Sequence, residues 1–126
     1  MPTKILMVDD TKTILMLGTM MLQTEGYHMS TACNGREALE VVKKIMPDLI
    51  ILDVMMPEMD GIETCTRLKA DPTTKHIPVM MLTTKGETAM IEKAYAAGCN
   101  DFATKPFTKP DIVFKIRALL AKTGPV

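Results

Sequence analysis

Tryptophan is missing from this 126-residue chain, and aromatic side chains amount to three Phe and two Tyr. So thin a supply leaves no platform on which nucleic-acid bases could stack. Charge of one sign is not in excess either: 15 basic and 15 acidic residues balance, and no basic run occurs. The electrostatic footprint of a direct nucleic-acid or anionic-lipid binder is therefore absent. Cysteine is sparse: Cys33, Cys65 and Cys99 are odd in number and far apart. They have neither the spacing of a zinc site nor the density of a disulfide scaffold, and suit a reducing compartment. Apolar runs are short. Ile5 to Val8 stops at two aspartates, short of the roughly 7–15 residues of a signal peptide's apolar region, and no run approaches the ~18 of a membrane span. The expectation is a soluble cytoplasmic protein with no membrane insertion. With no Gly/Ser linker, low-complexity stretch or repeat, residues 1–126 suit a single domain.

Methionine is plentiful, at 13 residues. Such side chains either fill a core in place of Leu and Ile or form an adaptable surface; the first is the plainer expectation. Short apolar runs alternate with amphipathic stretches throughout. Ile5 to Val8 is a strand covered on both faces. From Lys12 to about Glu25, Ile14, Gly18, Met21 and Leu22 share a helical face, with Gly26 just beyond. Tyr27 to Ala32 mixes polar and apolar residues, as a strand nearer an edge does. Asn34-Gly35 opens a helix with Ala38, Leu39, Val42 and Ile45 inward. Leu49 to Leu52 is again a fully apolar strand. Asp60-Gly61 starts a helix through Leu68, broken by Asp71-Pro72. Ile77 to Leu82 is a strand in which Pro78 is tolerable only at the beginning. Glu87 to Ala97 is a helix closed by Gly98, Asp101 to Thr104 a brief strand, and Lys109 to Leu120 a last helix with Pro110 in its first turn. Five strand–helix units with short connections imply right-handed crossovers and a parallel sheet, doubly wound, with helices on both faces.

In such a sheet the functional crevice lies outside the carboxyl ends of the strands. The polar residues stand there: Asp9 and Asp10 after the first strand, Asp53 after the third, Thr83 at the end of the fourth, Lys105 at the end of the fifth. Each has a plainer role. Asp10 and Thr83 could cap helices, and Lys105 could be a solvated surface lysine. Their joint placement at one rim is harder to reach by chance. Carboxylates brought together repel by roughly 4 kcal/mol per pair at ~4 Å and an effective dielectric near 20. A magnesium ion suits the task of neutralising them, since it prefers hard oxygens and is held by one or two carboxylates plus phosphate oxygens. Lys105 adds positive charge and Thr83 a donor hydroxyl. The parts match phosphoryl transfer, with Asp53 as nucleophile giving an acyl phosphate.

These residues resemble the response-regulator receiver domain, the phosphoacceptor module of two-component signalling. The resemblance rests on Asp9-Asp10, on Asp53-Val54-Met55-Met56-Pro57 leading to Met59-Asp60-Gly61, on Leu82-Thr83-Thr84, and on Lys105-Pro106-Phe107. It implies a flavodoxin-like α/β fold, with a five-stranded sheet in order 2-1-3-4-5 and five helices. It also implies that Asp53 takes phosphate from a sensor histidine kinase, and that Asp10 and Asp53 ligate Mg2+, with Asp9 acting largely through water and Met55 through its backbone carbonyl. Thr83 and Lys105 would hold the phosphoryl oxygens, and the Lys105-Pro106 bond would be cis. Thr83 and Phe102 occupy the switch positions; Phe102, where many relatives have Tyr, would prefer burial. The protein would then be a phosphoacceptor with its own self-phosphorylation and dephosphorylation chemistry, not an enzyme. Its downstream protein target would dock on the face of the fourth helix, fifth strand and fifth helix, the chain being a monomer or weak dimer. Thr84 is bulky where a smaller residue is common, and Met55 and Lys85 cannot position water, so a long-lived phosphoryl group is expected.

Three other readings compete. A flavodoxin-like cofactor protein needs a hydroxyl- and glycine-rich phosphate loop where this chain has Asp9-Asp10. A magnesium-dependent aspartate phosphatase wants a second acid where Met55 stands. Within the receiver reading, the chain ending at Thr123 to Val126 favours a stand-alone regulator; the alternative is the receiver portion of a longer regulator with a DNA-binding or enzymatic output.

Overall fold

The computed structural model describes residues 2–84 and 88–123. Ten elements alternate: β1 (Lys4–Val8), α1 (Lys12–Gln23), β2 (His28–Ala32), α2 (Gly35–Ile45), β3 (Leu49–Asp53), α3 (Gly61–Ala70), β4 (Val79–Thr84), α4 (Thr88–Ala96), β5 (Asp101–Lys105) and α5 (Lys109–Thr123). The strands form one parallel sheet in the order β2-β1-β3-β4-β5. Both the doubly wound architecture and the strand order expected from the sequence are met.

The fully apolar runs lie where both faces are covered. In β1 and β3, Leu6, Val8, Ile50 and Leu52 point into the layer shared with Ala38, Val42, Cys65 and Leu68, and Ile5, Met7, Leu49 and Ile51 into the layer shared with Leu22, Ile112 and Ile116. Alternation along each strand therefore feeds two cores. The mixed β2 sits at one edge of the sheet and β5 at the other.

Helix starts follow their cap residues. Asn34 Oδ1 accepts from the Glu37 amide and Asp60 Oδ1 from the Glu63 amide, each at 2.8 Å, which satisfies a donor the first turn cannot. Gly26 and Gly98 follow α1 and α4 with φ of 88° and 103°, a backbone setting that other residues adopt at a cost.

Several boundaries differ from the sequence expectation. The fourth strand starts at Val79, not Ile77, because Pro78 has no N–H for the ladder; the Val79 amide is taken by Asn100 Oδ1 at 2.9 Å. It also runs on through Thr83 and Thr84, which pair with Thr104 and Lys105. The expected start of α4 at Glu87 lies outside the described residues. The methionines divide: Met7, Met80 and Met81 are wholly buried, whereas Met16 and Met20 on α1 are 63% and 60% exposed. Core filling describes only part of the set. Among the described residues, no helix is long and apolar enough to cross a membrane.

Candidate functional site

The carboxyl ends of β1 and β3 are adjacent, with Val8 opposite Leu52, so the residues that follow them meet at the rim. Asp53 closes β3 opposite Leu82 of β4. The chain just beyond it is fixed on both sides: the Val54 amide donates to Leu82 O, and the Gly61 amide to Val54 O, each at 2.9 Å. Gly61 is required there, because a Cβ would run into the Asp53 carbonyl and Val54 Cα. The start of α3 is thus packed directly against the end of β3.

One carboxylate oxygen from each of Asp9, Asp10 and Asp53 lies within 4.8 Å of the others. Asp9 is 0% and Asp53 2% exposed, while Asp10 faces solvent. Lys105, carried in by β5, places Nζ 3.1 Å from Asp9 Oδ2 and 3.2 Å from Asp53 Oδ1. Burial, then the neighbouring Asp9 charge, pushes the Asp53 carboxyl up to about 6, with Lys105 pulling it back only in part. Burial works against the Lys105 charge, yet the Asp53 and Asp9 carboxylates outweigh it and raise its pKa. Three carboxylates against one ammonium leave a net of two negative charges when all are ionised. A divalent cation with a preference for oxygen fits that deficit.

The plainer alternatives can be judged residue by residue. Asp10 does not cap α1; the residue in the cap position is Thr11, whose amide donates to Asp9 Oδ1 at 2.9 Å. Lys105 is no free surface lysine, since its side chain is 17% exposed and bridges two acids. Thr83 is buried within β4, one residue beyond the partner of Asp53, and its hydroxyl is 3.3 Å from Thr84 O. Met55 leaves its side chain in solvent while its amide lies 3.4 Å from Asp53 Oδ1. Thr84 is exposed at the end of β4, and Lys85 lies outside the described residues. The Lys105-Pro106 bond is cis. Phe102 stands apart from the acids, on edge strand β5, and is half-buried.

Sequence reasoning did not foresee the direct Lys105–Asp9 pair or the burial of Asp9 ahead of Asp10. Strand alternation held the signal: Asp9 follows Val8 by one residue and is still tied to the sheet, its amide donating to Ala32 O at 3.2 Å.

Similarity to known proteins bears on this rim. Residues 5–117 match the model of the response regulator receiver domain. The phosphate regulon transcriptional regulatory protein PhoB of Rhizobium meliloti is 36% identical over 97% of this chain and 54% of its own length. The crystal structure of a putative response regulator from Chloroflexus aurantiacus superposes with a TM-score of 0.93 at 36% identity, covering 96% of this chain and 99% of that one. The chemotaxis protein CheY4 of Vibrio cholerae gives 0.89 at 33%, covering 94% and 99%. The chain spans about half or less of the length of the curated relatives it matches. A match that begins in β1 and continues into α5, on a sheet whose acids and lysine gather at one rim, establishes that this chain belongs to the response regulator receiver domain family of two-component signalling.

Proposed function

We propose that Asp53 is the phosphoryl acceptor of this receiver, taking its phosphoryl group from a phosphohistidine on a sensor kinase. The observation that carries this reading is the Asp9–Asp10–Asp53 cluster bridged by Lys105 at 3.1 and 3.2 Å. An Asp53 oxygen attacks phosphorus in line, the P–N bond to the donor imidazole breaks, and that nitrogen takes up a proton. Lys105 follows the charge from the carboxylate to the phosphoryl oxygens, and the Thr83 hydroxyl donates to one of them. Asp10 and Asp53 would hold Mg2+ directly, Asp9 largely through water and Met55 by its carbonyl. When bound, the ion supplies charge neutralisation between carboxylates and phosphoryl oxygens.

Thr84 is bulky where a smaller residue is common, and Met55 and Lys85 offer no acid or carboxamide to position water, so the acyl phosphate is long-lived for this family; rapid label loss after donor removal, with no phosphatase present, contradicts that. The protein acts as a signal carrier and not as an enzyme on a separate substrate. It passes the signal by docking α4, β5 and α5 on a protein target. CheY4, matched over 99% of its chain, supports a stand-alone form. PhoB, matched over 54%, supports the alternative of a receiver portion within a longer regulator. The size of the native protein on an immunoblot separates them.

The test of the acceptor is transfer from a labelled phosphohistidine donor. Label should move to the native chain in the presence of Mg2+, and should fail to move with chelator or to Asp53→Asn. Equal transfer to Asp53→Asn refutes the assignment.

A further inference from the structure

The open edge of β5 carries a contact that the acceptor chemistry does not use. Phe102 packs against the core layer that includes Met81 of β4 and Ala94 of α4, and its ring meets that of Tyr95 in a T-shaped contact at 89°, with centroids 6.3 Å apart. Lys115 belongs to α5, whose Ile112 and Ile116 bury in the opposite layer. Its side chain must therefore reach around the sheet edge to arrive at Phe102. There Nζ donates to Phe102 O at 2.8 Å and lies 5.2 Å from the centroid of the Phe102 ring, while Asp111 Oδ2 is 3.8 Å away. One ammonium thus holds both the backbone and the ring of a single residue.

We propose that Lys115 is a positioning residue for Phe102, latching the ring at the sheet edge until the signal from the rim displaces it. A Phe ring has no hydroxyl to anchor it, so its rotamer is set by what lies over its faces and edges. The cation over the ring supplies a directional hold, and the carbonyl bond keeps that cation in place whichever way the ring turns. The two contacts are thereby separable: moving the ring breaks only the cation–π contact. Phe102 pairs with Met81 of β4, two residues before Thr83, so a shift of Thr83 toward a phosphoryl group reaches the latch through one strand. The same amine covers a carbonyl on the free edge of the sheet, where another strand could otherwise add.

The switch half of this inference rests on Asp53 being the acceptor; the latch half does not. The test is the χ1 rotamer populations of Phe102, measured from three-bond couplings in the full chain, with Phe107 and Phe114 as internal reports of the fold. Without any phosphodonor, Lys115→Gln and Lys115→Met should raise the ratio of minor to major rotamer about five-fold, the loss expected for one half-exposed cation–π contact. Lys115→Arg should restore the native ratio. Unchanged populations in both Gln and Met variants, with Phe107 and Phe114 undisturbed, overturn the latch. Beryllofluoride with Mg2+, a phosphoryl mimic, should shift the native protein toward the minor rotamer and Lys115→Gln further. A normal donor-free difference with no response to beryllofluoride in either protein removes the switch half and points to failure of the Asp53 reading. A response of native protein and variant to identical populations overturns the latch alone.

Discussion

Two buried acids, Asp9 and Asp53, share one lysine at the rim, and the fold disfavours the charge on the second of them. Burial and Asp9 raise the Asp53 carboxyl from an ordinary 3.8 to about 6, so between those values the folded chain binds more proton than the unfolded one. Stability of the metal-free protein should accordingly fall as pH rises from 4 to 6, by up to about 3 kcal/mol, which urea denaturation across that range measures. Asp53→Asn should abolish the decline and stabilise the metal-free protein at pH 7, because it removes a carboxylate the site disfavours. Lys105→Met should act oppositely. It leaves Asp9, 0% exposed, without its 3.1 Å partner, at a cost of about 3 kcal/mol, part of which saturating Mg2+ should restore. A destabilised Asp53→Asn in the absence of metal would contradict this electrostatic picture.

Elements bring these residues together, and two helix starts separate folding from site geometry. Asn34 spends its side chain on the Glu37 amide of α2 and on Cys33 Sγ, not on any of the three acids, so Asn34→Ala should cost about 1 kcal/mol and leave phosphoryl acceptance unchanged. Gly61→Ala should cost about 2 kcal/mol and, on the proposed function, also slow acceptance, because the new Cβ displaces the backbone carbonyl of Asp53 itself. Thermal melts paired with phosphorylation rates check both. Such contacts explain how much the sequence disclosed. The apolar runs of β1 and β3 showed where strands end, and hence that Asp9, Asp10 and Asp53 share a rim. The Ile77-Pro78 boundary was hidden, since Ile77 is as apolar and buried as the strand it precedes. The side of the strand on which Asp9 or Asp10 falls depends on the last ladder bond, which no composition records. The exposed Met16 and Met20 were legible in principle, lying off the helical face of Gly18 and Leu22, but a methionine is equally at home in a core.

Across the whole molecule, one sheet carries a charged rim at its carboxyl end and a latched aromatic at its far edge. Family resemblance supplied the strand order and the roles of Thr83 and Phe102; apolar patterning alone supplied the layers. A cation that binds only the folded rim should raise the melting temperature with concentration, reaching about 2.7 kcal/mol at a hundred times its dissociation constant. Scanning calorimetry with Mg2+ should show that rise for the native chain and a much smaller one for Asp10→Asn. The acceptor assignment itself meets its most direct test in intact mass after incubation with Mg2+ and a small phosphodonor. We expect the native chain to gain the mass of one phosphoryl group and Asp53→Asn to gain none; an unmodified native chain, or the same gain on Asp53→Asn, would contradict it.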